Sequence, residues 1–145
     1  MNKLRGLWRG KTTPKENGEF NGVWVEGDLI HSEGRYYIHP VANAVKTQGE
    51  LGRLIIIHEV DPATLGDCTG LRDKNKKLIF EGDIIKGSNK RTFTVEYCAE
   101  ICAFVARAAD GVMVTPGMNT GTMEHYEVIG NIHGNPELLQ KGVAE

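Results

Sequence analysis

Gly22-Val23-Trp24-Val25-Glu26-Gly27-Asp28-Leu29-Ile30, followed after Ser32-Glu33-Gly34 by Arg35-Tyr36-Tyr37-Ile38-His39, is the stretch that decides the fold class. Its first part alternates around glycines, a glycine-containing turn intervenes, and its second part is rich in aromatics. That pattern predicts a β-hairpin. Residues 40–53 are small and polar with two glycines, and are expected to form a loop. Leu54 to Val60 then reads as a strand with two apolar faces, a pattern of central strands and subunit interfaces.

Farther along, Asp61-Pro62-Ala63-Thr64-Leu65-Gly66 predicts a single helical turn, with Asp as its cap, Pro in first position and Gly past its end. Asp73-Lys74-Asn75-Lys76 is a polar turn between two short extended segments, and Asn75 is the residue best suited there to positive φ. Glu81-Gly82-Asp83 suggests a bulge or bend, Ile84-Ile85-Lys86 resumes the strand, and Gly87-Ser88-Asn89-Lys90 reverses it. Arg91 to Tyr97 alternates Phe93, Val95 and Tyr97 against polar neighbours. Ala103–Ala106 with Val112–Thr115 reads as a hairpin across Asp110-Gly111. Glu127–Ile132 is a last strand, and Asn135 caps a short helix from Pro136 to Lys141. Closely spaced strands with little helix predict an all-β chain, a mainly antiparallel sandwich or barrel with long loops.

The chain has 145 residues, a length suited to a single β domain over 1–145, divisible into lobes at 1–68 and 69–145. Its longest apolar run, Leu54 to Ile57, is far shorter than the roughly 20 residues of a membrane span. The first residues lack the apolar core of a signal peptide, so a cytoplasmic protein without membrane association is expected. The net charge of −2 hides segregation. Residues 1–15 carry five bases and no acid; residues 16–71 carry nine acids against three bases; residues 72–91 carry seven bases against three acids. Two basic segments in a near-neutral chain are a potential polyanion surface.

The usual signatures of catalysis are missing. The two serines, Ser32 and Ser88, do not sit in a nucleophile elbow, and no P-loop or dinucleotide fingerprint occurs, so no catalytic residue and no cofactor is assigned. His31 with His39, and His125 with His133, could meet across hairpins, but surface histidines greatly outnumber ligands in such places. Cys98 and Cys102, four apart, share a helix face or lie about 13 Å apart along a strand, too far for a bridge. Glu81 and Asp83 lie on one side of an extended chain. They are the weak metal-ligand candidates, and the spacing more often belongs to acids that accept backbone N–H groups at a bend.

The run Glu59-Val60-Asp61-Pro62-Ala63-Thr64-Leu65-Gly66, then Thr69 to Asn75, then Ile79-Phe80-Glu81-Gly82-Asp83-Ile84-Ile85, resembles the signature of the YopX family. The resemblance extends to Trp24-Val25-Glu26-Gly27, Tyr37-Ile38, Val128–Ile132 and Pro136–Leu139. The chain departs from it at Asn75-Lys76, where family members usually show Asn-Gly, at Cys68, where an aromatic is usual, and at Phe80, often Tyr. The resemblance implies a mostly β protein of phage or prophage origin acting in the bacterial host cytoplasm. It carries no assigned activity and no catalytic residues. The signature is itself made of turn-forming devices, which a fold needs whatever its site.

Three functions follow from these readings. The first is a non-enzymatic accessory protein that binds protein and self-associates as a homo-oligomer, motivated by Leu54–Ile57 and by the aromatics Trp24, Tyr36 and Tyr37. The second is a nucleic-acid-binding β-barrel module whose charge comes from Arg72, Lys74, Lys76, Lys77, Lys86, Lys90 and Arg91, with Phe93 or Tyr97 for stacking. The third, least supported, is a metal-dependent enzyme around Glu81 and Asp83.

Overall fold

A computed structural model describes residues 6–13, 22–40, 57–111 and 118–139. Among them the chain is all-β, apart from single helical turns. The strands are β1 (Trp8–Lys11), β2 (Trp24–Ser32), β3 (Arg35–Pro40), β4 (His58–Val60), β5 (Gly66–Arg72), β6 (Leu78–Phe80), β7 (Asp83–Lys86), β8 (Thr92–Cys98), β9 (Ala103–Ala108) and β10 (Glu127–Asn131), with one turn of helix, α1 (Thr120–Met123), before the last. The chain divides into two compact units, Leu4–Asp67 and the part from Cys68 onward.

In the N-terminal unit every pairing is antiparallel, β1 on β2, β2 on β3 and β3 on β4. The hairpin legible in the sequence is β2–β3. Ser32 pairs with Arg35 across Glu33 and Gly34, both at positive φ (52° and 77°), the geometry that matches strand twist in a two-residue turn. β4 is bonded on both sides. Thr12 bridges Val60, Thr13 N–H donates to the Glu59 carbonyl, and Asp61 N–H donates to that of Lys11. The four strands therefore close on themselves around Ile38 and Val60, both buried. Of the apolar segment read as one strand from Leu54 to Val60, residues 54–56 lie outside the described residues, as do 41–53. The rest is β4.

The predicted helical turn is a 3₁₀ turn, Pro62–Thr64, with Asp61 Oδ1 accepting the Ala63 N–H at 3.0 Å. Thr64 Oγ1 donates to the Asp61 carbonyl and accepts from Lys11 N–H, tying the turn to β1. Gly66 is not the left-handed residue expected past its end. Leu65 is extended, and Gly66 goes straight into β5, paired with Arg9, so the chain needs no αL cap.

In the C-terminal unit β5 pairs with β6, and a second antiparallel sheet runs β10-β7-β8-β9. Its core joins Ile79, Ile85, Phe93, Val95, Ala106, Ala108 and Met123. The Thr69-Gly70 corner is a bulge between the Cys68 and Arg72 pairings. Gly70 is at φ 85°, and Thr69 Oγ1 donates to Ile79 O while accepting from Leu71 N–H. In the 73–77 turn the left-handed residue is Lys76 (φ 68°), not Asn75. Asp73 Oδ1 accepts from both Asn75 and Lys77 N–H, and Lys76 N–H closes on the Asp73 carbonyl. The turn is thereby centred on Lys74-Asn75, and positive φ passes to the next residue. A side chain in that conformation costs about 1 kcal/mol relative to glycine.

Ala103–Ala108 is a strand, as read, but its described partner is β8. Val112–Thr115, the expected second arm, lies outside the described residues. Cys98 and Cys102 are thereby not on one helix face or one strand; Cys98 ends β8 and Cys102, at φ 54°, ends the loop before β9. None of Cys68, Cys98 and Cys102 is in a disulfide. The alternation of β8 fails at Tyr97, which is 46% exposed because it lies beyond the end of the core. Residues 137–139 are helical, as expected after Asn135, and 140–145 lie outside the described residues.

Candidate nucleic-acid interface

The basic residues of 72–91 fall on three separate pieces of chain: the 73–77 turn, the end of β7, and the 87–91 turn. β10 brings these pieces together. It starts beside Lys86, since Glu127 pairs with Lys86 and Val128 with Ile85. It is tied to the 73–77 turn by Lys74 N–H donating to Tyr126 O and Val128 N–H donating to Asp73 Oδ2, each at 2.9 Å. The 87–91 turn leaves β7 at that same end, closed by Gly87 N–H on Arg91 O and Lys90 N–H on Gly87 O. Arg72, Lys74, Lys76, Lys77, Lys90 and Arg91 are exposed there, and Lys86 is half-buried.

The anchor of this end is Asp73, 4% exposed. Burial pushes its carboxyl pKa up, but the N–H groups of Val128, Lys77 and Asn75 and the nearby Lys77 charge outweigh burial. The pKa therefore lies below its ordinary value of 3.8. An ionised carboxylate thus holds the cation-bearing 73–77 turn against β10, the strand that pairs with Lys86. Acids elsewhere at this end are few; Glu127 is 3.7 Å from Lys74 in a largely exposed pair, and Glu124 follows α1.

Neither aromatic offered for stacking stands at the basic end as an open ring. Phe93 is 4% exposed and closed to a base, with the Arg91 guanidinium 5.3 Å above its ring. Tyr97 is accessible but belongs to the far end of β8, about 17 Å of strand away from Thr92. The half-buried aromatic at the basic end is Tyr126, edge-on to Phe93 at 6.0 Å and against Gly87. No local pattern marks it, because its neighbours come from β-pairing across some forty residues.

The basic residues of the N-terminal segment are only partly described. Lys3, Arg5 and Lys15 lie outside the described residues. Arg9 and Lys11 project over the Trp24 ring, at 5.0 and 5.8 Å, within the N-terminal unit. The other candidates behave as structural groups. Asp83, 1% exposed, accepts the Phe80 N–H at 2.8 Å, so the Glu81-Gly82-Asp83 bend uses it as a backbone acceptor. Gly82, at φ 94°, makes the bend itself. His31 does not meet His39; it stacks flat on Tyr36, 4.2 Å between centroids, while His39 pairs with Asp28. Among the described residues no group of three or more His, Cys, Asp or Glu could hold a metal ion, and no helix is long and apolar enough to cross a membrane.

Fold and site together define a small all-β protein whose described polar groups mostly shape turns and whose 72–91 cations gather at one end of one unit. The family model described as YopX protein matches residues 18–140, and the chain belongs to that family. No curated protein matches it.

Proposed function

We propose that this protein is a non-enzymatic accessory factor, of phage or prophage origin and acting in the bacterial cytoplasm, that binds a nucleic-acid backbone through the basic end of its C-terminal unit. The carrying observation is the convergence of the 73–77 turn, Lys86 and the 87–91 turn through β10. Lys and Arg clustered at one end of a rigid sheet form a polyanion footprint even in a chain of net charge −2, because screening cuts off distant acids within about 10 Å at 0.1 M salt. Neutralising about four phosphates gives a log affinity against log salt slope of about −3.6 on double-stranded and about −2.8 on single-stranded DNA. Fluorescence anisotropy with single- and double-stranded DNA at about 50 mM salt is expected to show binding that weakens with those slopes. The double variant Lys86→Gln, Lys90→Gln flattens the double-stranded slope by about two. No binding at that salt overturns the reading.

A second reading is self-association, and a different surface supports it. At the other end of the same sheet Tyr97 and Ile101 are each 46% exposed, with Tyr97 edge-on to Phe104 at 5.4 Å. Two large apolar groups exposed side by side support a contact between copies at this loop. Light scattering at tens of micromolar is expected to give a mass above one chain, returned to the monomer by Tyr97→Ser with Ile101→Ser. A monomeric wild type overturns it.

A further inference from the structure

Beside the basic end lies a cleft of about 260 Å³ between the bulge of β5, the 73–77 turn and α1, bordered by Gly70, Arg72, Asp73, Lys76, Thr120 and Glu124. We propose that this cleft is a phosphate pocket that seats the terminal phosphate monoester of a nucleotide or strand between Arg72 and Lys76. The inference deepens the nucleic-acid reading and rests on it for the strand, but not for the phosphate.

Three observations carry it. Arg72 Nη1 donates to the Lys76 carbonyl at 2.8 Å, so the guanidinium is held against the turn by one of its five N–H donors and the others remain for an anion. The same bond places the Arg72 guanidinium at the residue that bears the cleft's second cation, so Arg72 is set before ligand arrives. Lys76 itself occupies a left-handed position that favours glycine, and the turn keeps a cation there at a cost in stability. The Asp73 carboxylate in the wall is engaged by three backbone N–H groups, which compensate its charge towards an incoming anion. Glu124, exposed on the α1 side, opposes the anion and limits affinity. The cleft is below the usual 300–1,000 Å³ of drug-sized sites, matching a phosphate with part of one sugar better than a whole dinucleotide.

The test compares a short oligothymidylate with and without a 5′-phosphate, and thymidine monophosphate alone, by anisotropy and thermal shift. The phosphorylated strand is expected to bind about tenfold tighter than the 5′-hydroxyl strand, the gain of one bidentate charge-assisted contact. Arg72→Gln and Lys76→Gly abolish that preference, each also weakening the 5′-hydroxyl strand as one backbone cation is lost; Lys90→Gln weakens both strands and keeps their ratio; and Glu124→Gln increases the preference. Lys76→Gly should also raise Tm, which separates a lost ligand contact from a damaged fold. Equal affinity for the two strands overturns the pocket and leaves the backbone-binding reading standing. Failure of both strands to bind, with an Arg72-dependent thermal shift by the monophosphate, overturns that reading and keeps the pocket. With no response to any probe, both fall.

Discussion

Replacing Asp73 by Ala is expected to destabilise the protein by about 3–5 kcal/mol, read as a lower urea midpoint at unchanged slope. The carboxylate accepts from Asn75 and Lys77 through Oδ1 and from Val128 through Oδ2, at 2.8 to 2.9 Å, in a side chain 4% exposed. Hydrogen bonds to a charged group contribute about 1.5–3 kcal/mol each, and three sharing one acceptor are not additive. Asp73→Asn should cost less, since its carbonyl oxygen can serve two donors while its amide opposes the third. The effect has a pH signature. The folded-state pKa lies below 3.8, so the carboxylate stabilises the fold fully above the unfolded value and the contribution is lost as pH falls through the folded pKa. Wild-type Tm should therefore fall more steeply than that of Asp73→Asn below pH 3.8. Parallel profiles would show that the shared donors do not stabilise the ionised form.

Gly27→Ala is expected to cost more than about 3 kcal/mol and to unfold the N-terminal unit at a lower denaturant concentration than any surface change there. Gly27 is paired with Trp8 on one side and Pro40 on the other. A methyl group at Gly27 would overlap the His39 carbonyl oxygen and stand 2.7 Å from the His39 carbonyl carbon and 2.9 Å from Pro40 Cα. Those atoms are backbone, so no rotamer relieves the overlap, and β2 must part from β3. Gly34→Ala is the control. Gly34 has φ 77° and open space around it, so its penalty is conformational only, about 1–2 kcal/mol. If the two variants lose the same stability, close approach at Gly27 is not what its glycine provides.

Much of the fold was legible because it is written in local chemistry. Glu33-Gly34, Asp61-Pro62 and Glu81-Gly82-Asp83 each specify a backbone shape within a few residues, and each turned out as a turn at that place. The misses have local reasons too. Asn75 looked like the left-handed residue by propensity alone, but the two N–H groups taken by Asp73 shift that position to Lys76. Gly66 looked like a helix terminator, but pairing with Arg9 made it a strand residue. Tyr97 followed the alternation of Phe93 and Val95, yet alternation says which side a residue faces, not whether anything covers it.

The candidate site divides along the same line. That residues 72–91 are basic is plain in the sequence, as is the family signature running through them. Which cations share a surface depends on β10, whose Tyr126, Glu127 and Val128 reach back to Lys74, Lys86 and Asp73. The nucleic-acid hypothesis offers Phe93 for stacking, whereas the sheet buries it, as its alternation implies, and puts Tyr126 beside the cations. Sequence by itself determined the all-β class, the turns and the charge segregation, since each depends on side chains within a few residues of one another. Only tertiary structure decided which turns meet, which aromatic is accessible and which acid is buried. Those depend on hydrogen bonds between strands far apart in the chain, whose partners no local pattern names.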